Sequence, residues 1–174
     1  MSDSLSFKTH FQEMAAYNRW ANARLYADAA TLTDEALHRD VGVYFQSLFA
    51  TLTHLLQTDR AWTFLLQGGT LGDMALPGPP ADLPVLLTAR QAQDAEFVAW
   101  MDRIDTAWLA QPFTFVSGLG SWKGKSYAGT HASTLTHLFN HQTHHRGQAH
   151  TALKLLGVAE PQALDILVKG FLGA

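Results

Sequence analysis

Apolar residues recur at helical spacing along most of this chain, and breaks in that spacing divide it into four long segments. Leu5 to about Ala30 carries Phe7, Phe11, Met14, Tyr17, Trp20 and Leu25 at intervals that predict one long helix. Thr33-Asp34-Glu35 has the residue types of a helix start, for a short helix leading through Gly42. A second long helix is expected from about Ser47 to Leu66, stopped by Gly68-Gly69. Residues 70–83 are dense in glycine and proline and read as a loop. Pro84 suits the first turn of a third helix reaching Met101 or Ile104, with a short helical turn at Thr106–Ala110.

The stretch from Phe113 to Tyr127 breaks the helical pattern and predicts a small β-hairpin or an irregular loop. A fourth long helix is expected from about Ala132 to Leu156, ending at Gly157, and Pro161 opens a short last helix over Ala163–Phe171. No internal repeat or low-complexity tract interrupts this order. The pattern predicts an all-α fold: one domain over 1–174, a four-helix bundle with a short hairpin or loop excursion before the last long helix.

Composition narrows the function. A length of 174 residues, 47% hydrophobic and 16% charged, suits a globular domain with a real core. The formal charge of −3 provides no general attraction to nucleic acid or anionic membranes. No apolar run approaches a membrane span, and the N-terminus lacks the basic start and apolar stretch of a signal peptide. A cytoplasmic protein is the expectation. The chain has no cysteine, which excludes disulfides, Cys-ligated metal and a protein thiol nucleophile. Any thiol chemistry needs a sulfur from a small molecule.

The most informative feature lies on the fourth long helix, which holds His137, His141, His144, His145 and His150 of the nine histidines. With about 100° per residue, Leu138, Ala149, Ala152, Leu153 and Leu156 fall between about 60° and 160° from His137. His141 at about 40° and His145 at about 80° lie on or beside that apolar arc, one turn apart. His144 sits at the margin, near −20°, and His150, near 220°, is expected in solvent. Inward imidazoles need partners, because an unsatisfied buried polar group costs about 1–3 kcal/mol. A shared metal ion would satisfy both, although two separately hydrogen-bonded core histidines remain the alternative.

A third ligand should come from another helix, and His54 is the candidate, sharing a face with Leu65. His10 and His38 are expected at the surface or its boundary, and His131 in a capping or solvated position. Asp59 lies within the apolar arc of its own helix, so it needs a cation. Arg146, beside Phe139 and Leu153, can supply one, predicting an Asp59–Arg146 pair next to the site.

These residues also carry a resemblance. Tyr17-Asn18-Arg19-Trp20-Ala21-Asn22, then His54 with Asp59 and Trp62, resemble the DinB family in the expected order. The run Asn140-His141-Gln142-Thr143-His144-His145-Arg146-Gly147-Gln148 is similar to its most recognisable motif, and Pro161…Asp165 resembles its tail. The likeness covers nearly the whole chain. It implies a four-helix bundle, often a homodimer, with a divalent metal held by three histidines. Carried over by position these are His54, His141 and His145. His137, one turn before His141, and His144 are candidates to support the ligands from behind or to line the pocket, as are Asp59 and Arg146. Related proteins include enzymes that use low-molecular-weight thiols such as bacillithiol and mycothiol. The family name records induction by DNA damage, a stress response, and implies no DNA binding.

Three neutral imidazoles leave the charge of a divalent ion uncompensated and a coordination position open, as catalytic sites do. The expectation is therefore a metal-dependent enzyme, a thiol S-transferase or hydrolase, in which the ion activates an external low-molecular-weight thiol or water. The histidine run has no His-Glu-x-x-His spacing, so the carboxylate base of a zinc protease is missing. Glu13 or Glu35 would serve only if folding brought one near, and Tyr17, Asn18 and Trp20 are candidate pocket residues. The alternative is a non-catalytic metal-binding or stress-response bundle. Zinc or nickel is expected, with iron, manganese or copper also compatible with the ligands.

Overall fold

A computed structural model describes residues 6–75, 77–118 and 123–172. Its elements are α1 (Phe7–Ala29), α2 (Asp34–His38), α3 (Leu48–Leu66), α4 (Leu83–Arg103), α5 (Thr106–Ala110), β1 (Pro112–Val116), β2 (Ser126–Thr130), α6 (His131–Leu155) and α7 (Ile166–Leu172). The fold is mostly helical, and the sequence boundaries of α3, α4 and α5 hold to within a residue or so. Local chemistry explains the starts: Ser6, Thr33, Ser47, Asp82, Asp105 and Thr130 each accept a hydrogen bond from a first-turn amide of the following helix.

The excursion before α6 is an ordered antiparallel hairpin, so the fold is not purely helical. Phe113 pairs with Gly129 and Phe115 with Tyr127, which places Phe113, Phe115 and Tyr127 on one face. Alternation of apolar residues in β1 supports that face. Thr130 caps α6, and Ser133 answers it in a capping box. The expected capping or solvated role of His131 is thereby displaced. Its ring is buried, stacks on Trp108 at 4.1 Å, and its Nδ1 donates to the Trp108 carbonyl at 2.9 Å. The last helix starts later than the sequence suggested. Residues 161–165 instead lie across α1, where Tyr17 donates to the Leu164 carbonyl and the Gln162 amide donates to Asp28.

Among the four long helices, α1 packs on α4 and α6, and α3 packs on the same two. Their apolar residues form two clusters rather than one. The first gathers Leu25, Leu48, Leu52, Leu56, Leu86 and Leu153; the second gathers Phe11, Phe97, Met101, Leu135, Leu138 and Phe139. Between them every long helix contributes buried polar residues: Asn18 and Asn22, Asp59, Arg90 and Asp94, Gln142 and Arg146. Each helical stripe is thus interrupted at mid-length. Among the described residues no helix is long and apolar enough to cross a membrane.

Candidate metal centre

His54 projects from α3, while His141 and His145 project from successive turns of α6. One ring nitrogen from each lies within 4.8 Å of the others. The Nε2 atoms of His54 and His141 are 3.2 Å apart. Two imidazole nitrogens bound tetrahedrally at about 2.0–2.1 Å to one zinc ion would stand about 3.3 Å apart, so the donor set fits a shared ion. His145 Nδ1 donates to Gln148 Oε1 at 2.7 Å, which leaves its Nε2 lone pair free to ligate. The three histidines are those reached from helical faces.

Burial and mutual repulsion keep these rings neutral. Desolvation first, then the neighbouring His145, lowers the His54 pKa to about 4. Desolvation, then His145, His54 and other histidines, lowers His141 to about 3, and desolvation also lowers His145. Neutral imidazole is the form that binds metal.

The polar layer fixes the two histidine-bearing helices against each other. Gln142 Nε2 donates to the Leu55 carbonyl at 3.1 Å and to the Asp59 carboxylate, one residue from His141 and from His54 respectively at the first contact. Asp59, only 2% exposed, meets Arg90 of α4 at 2.7 Å rather than Arg146. Arg90 also meets Asp94 at 2.9 Å, and Asp94 accepts from Asn22 of α1 at 3.0 Å. Four helices therefore share one network. The expected Asp59–Arg146 contact is not formed, because α4 supplies a closer cation. Arg146 donates to Asn18 and lies over the Tyr17 ring at 5.0 Å. Its charge still favours ionisation of Asp94 from a distance.

Other candidates sort by position. His137 is exposed on the wall of a cavity that also touches His54 and His141, with its ring 5.2 Å from Trp62. His144 is exposed and outside that cavity, accepting from Gln148 Nε2 at 3.1 Å. Tyr17 and Asn18 hold Arg146 and do not line the cavity, nor does Trp20, and Glu13 and Glu35 are exposed elsewhere. His150 is partly covered rather than solvated, with Nε2 3.3 Å from the Gln162 carbonyl.

Sequence reading missed Phe45, whose ring stacks on His54 at 4.0 Å and lies 5.3 Å from His145. A tight turn closed by Gln46 N to Val43 O, with Gln46 at φ 66°, aims it there. No periodicity marks such a residue. Arg90 and Gln148 were also missed, although spacings of four from Arg90 to Asp94 and three from His145 to Gln148 were visible signals.

Comparison with known proteins agrees with this geometry. The model of the DinB family matches residues 1–169. The chain belongs to the DinB family. One relative, Protein DinB of Bacillus subtilis (strain 168), is 28% identical over 148 residues, covering 82% of this chain and 84% of that protein. No solved structure matches significantly.

The neutral histidines of this DinB family member predict a pH dependence. Their folded pKa values lie below the ordinary 6.5, so the unfolded chain takes up protons that the native site refuses. Their stabilising effect is full above pH 6.5 and is lost as pH falls through about 4 for His54 and toward about 3 for His141. Buried Asp59 and Asp94 have raised pKa values and act in the opposite sense. Urea midpoints of metal-free wild type and a His54→Gln/His141→Gln variant should therefore be compared. Wild type should lose more stability between pH 7 and 5 than the variant. Equal losses would contradict neutral, desolvated rings.

Proposed function

We propose that this DinB family protein is a metal-dependent enzyme with a three-histidine centre formed by His54, His141 and His145. The convergence of those three donor atoms from two helices is the observation that carries the proposal. On this reading the domain spans 1–174, the four long helices constitute a bundle, and the protein works in the cytoplasm as a homodimer. A divalent ion, zinc or nickel in the first instance, would supply Lewis acidity that lowers the pKa of water or a low-molecular-weight thiol. The protein's own part is to present three neutral nitrogens and to hold their spacing through Gln142 and Gln148. Phe45 shields one side of the imidazoles, and the cavity opens beside them. Asp59 and Arg90, embedded in the network, are placed to hold α3 and α4 rather than to move protons.

Element analysis of the purified protein should find one divalent ion per chain. Zinc- and nickel-loaded samples should then accelerate consumption of bacillithiol, mycothiol or glutathione by a reactive electrophile, or hydrolysis of an ester. Bound metal with no acceleration in either assay would leave a non-catalytic metal-binding protein and end the enzyme reading.

A further inference from the structure

Beside His54 and His141 lies a cavity of about 660 Å³, enclosed by α3, α6 and the β1–β2 hairpin. Its walls are aromatic. Trp62 of α3 stands edge-on to Phe115 of β1 at 5.1 Å, and Phe115 tilts against Tyr127 of β2 at 5.6 Å. The Tyr127 hydroxyl lies 3.0 Å from Ser133 Oγ, which ties the hairpin wall to α6. Thr58, Ser117, Lys125, Ser126, Thr134 and His137 complete the lining, and no carboxylate among the described residues lines it.

A cavity of this size takes a small organic molecule rather than a helix or a second copy of the chain. Aromatic walls suit a flat apolar group, through offset or edge contacts. They also suit an organic cation. Here the cation is disfavoured twice: no carboxylate among the described residues lines the cavity to pair it, and Lys125 already brings a positive charge to the lining. A strongly polar molecule such as a sugar is disfavoured, because most of the exposed lining surface is apolar.

We propose that this cavity receives the flat apolar portion of a small molecule whose neutral or anionic donor atom faces His54 and His141. The inference rests on the metal-centre reading and names the class of substrate that centre would take. Recognition then divides in two. Trp62, Phe115 and Tyr127 hold the apolar body, and the histidine end selects the donor.

Three probes test this by calorimetry on the zinc-loaded protein: 2-naphthohydroxamate, acetohydroxamate and a naphthylmethyl trimethylammonium ion. The naphthyl hydroxamate should bind at least about tenfold tighter than acetohydroxamate, the difference being the ring. Trp62→Ala and Phe115→Ala should each erase most of that gain, with acetohydroxamate changed less than about twofold. Tyr127→Ala, at a half-buried strand position on the same face as Phe115, tests the same point from the hairpin wall. It should weaken the naphthyl probe alone. Equal loss of both hydroxamates in these variants, no gain from the ring, or tighter binding of the ammonium ion would overturn the proposal. Should element analysis find no metal, the centre fails separately, and 2-naphthol on the metal-free protein becomes the probe. Saturable binding lost in Trp62→Ala and Tyr127→Ala would still support the apolar cavity, and no saturable binding would overturn it.

Discussion

Replacing His141 by alanine should lower zinc affinity by at least about 100-fold while the helical fold persists, since even outer-shell losses cost about 10–100-fold. His141 forms a triangle with the other two rings, its Nε2 3.2 Å from His54 Nε2 and its ring centroid 4.3 Å from that of His145. Its Nδ1 has no hydrogen-bond partner among the described residues, and when the ring is removed His54 Nε2 keeps the Thr58 hydroxyl at 3.4 Å. The loss should therefore register as metal binding rather than as misfolding. Competition against a chelating dye measures affinity, and circular dichroism reports helicity. His144→Ala is the control, because its exposed ring lies outside the group of three and should shift affinity less than about threefold. Gln148→Ala should fall between them, since it frees the His145 ring to rotate. Wild-type affinity in His141→Ala would remove the centre from consideration.

The second large effect belongs to Asp59. Asp59→Ala should destabilise the protein by about 3 kcal/mol, the low end of the usual cost of breaking a buried ion pair, because Arg90 keeps Asp94 as a second carboxylate. For a chain of this size that corresponds to a Tm lower by roughly 6–12 °C. The residue has no water to fall back on. Burial pushes its pKa up, Arg90 pulls it down, and Gln142 donates to it as well. Removing it leaves the Arg90 guanidinium with Asp94 alone and the Gln142 amide with only the Leu55 carbonyl. A double-mutant cycle separates the partners: Asp59 with Arg90 should show strong coupling, and Asp59 with Arg146 much weaker coupling. Equal couplings would mean that the charge is balanced by the whole layer rather than by the contact. Because Gln142 joins Asp59 and Leu55 beside the ligands, Asp59→Ala should also weaken zinc binding, through the position of α3 against α6.

Much of the arrangement was legible because helical periodicity is a local property. Four long helices and their order follow from the spacing of apolar residues and from Gly and Pro between them. The inward pair on α6, His141 and His145, was legible for the same reason: residues four apart share a face whatever the helix packs against. The hairpin was half legible, since alternation in Phe113-Thr114-Phe115-Val116 is too short to distinguish a strand from a loop. The cation for Asp59 was not legible. Helical phase shows that the carboxylate points inward, but the choice between Arg146 and Arg90 depends on how α4 and α6 lie against α3. Phe45 was invisible for a similar reason, because it reaches His54 from a turn that no periodic pattern describes.

The sequence by itself therefore determined the helices, the inward direction of His141 and His145, and the need for a buried partner to Asp59. Periodicity and the cost of desolvation suffice for those, since both act within one helix. Only the tertiary structure decided which partners meet. It set the nitrogen spacing of His54 and His141, gave Asp59 to Arg90, and folded the hairpin over Trp62 to enclose the cavity. Each of those depends on the relative placement of separate elements, which long-range packing sets and local pattern does not encode.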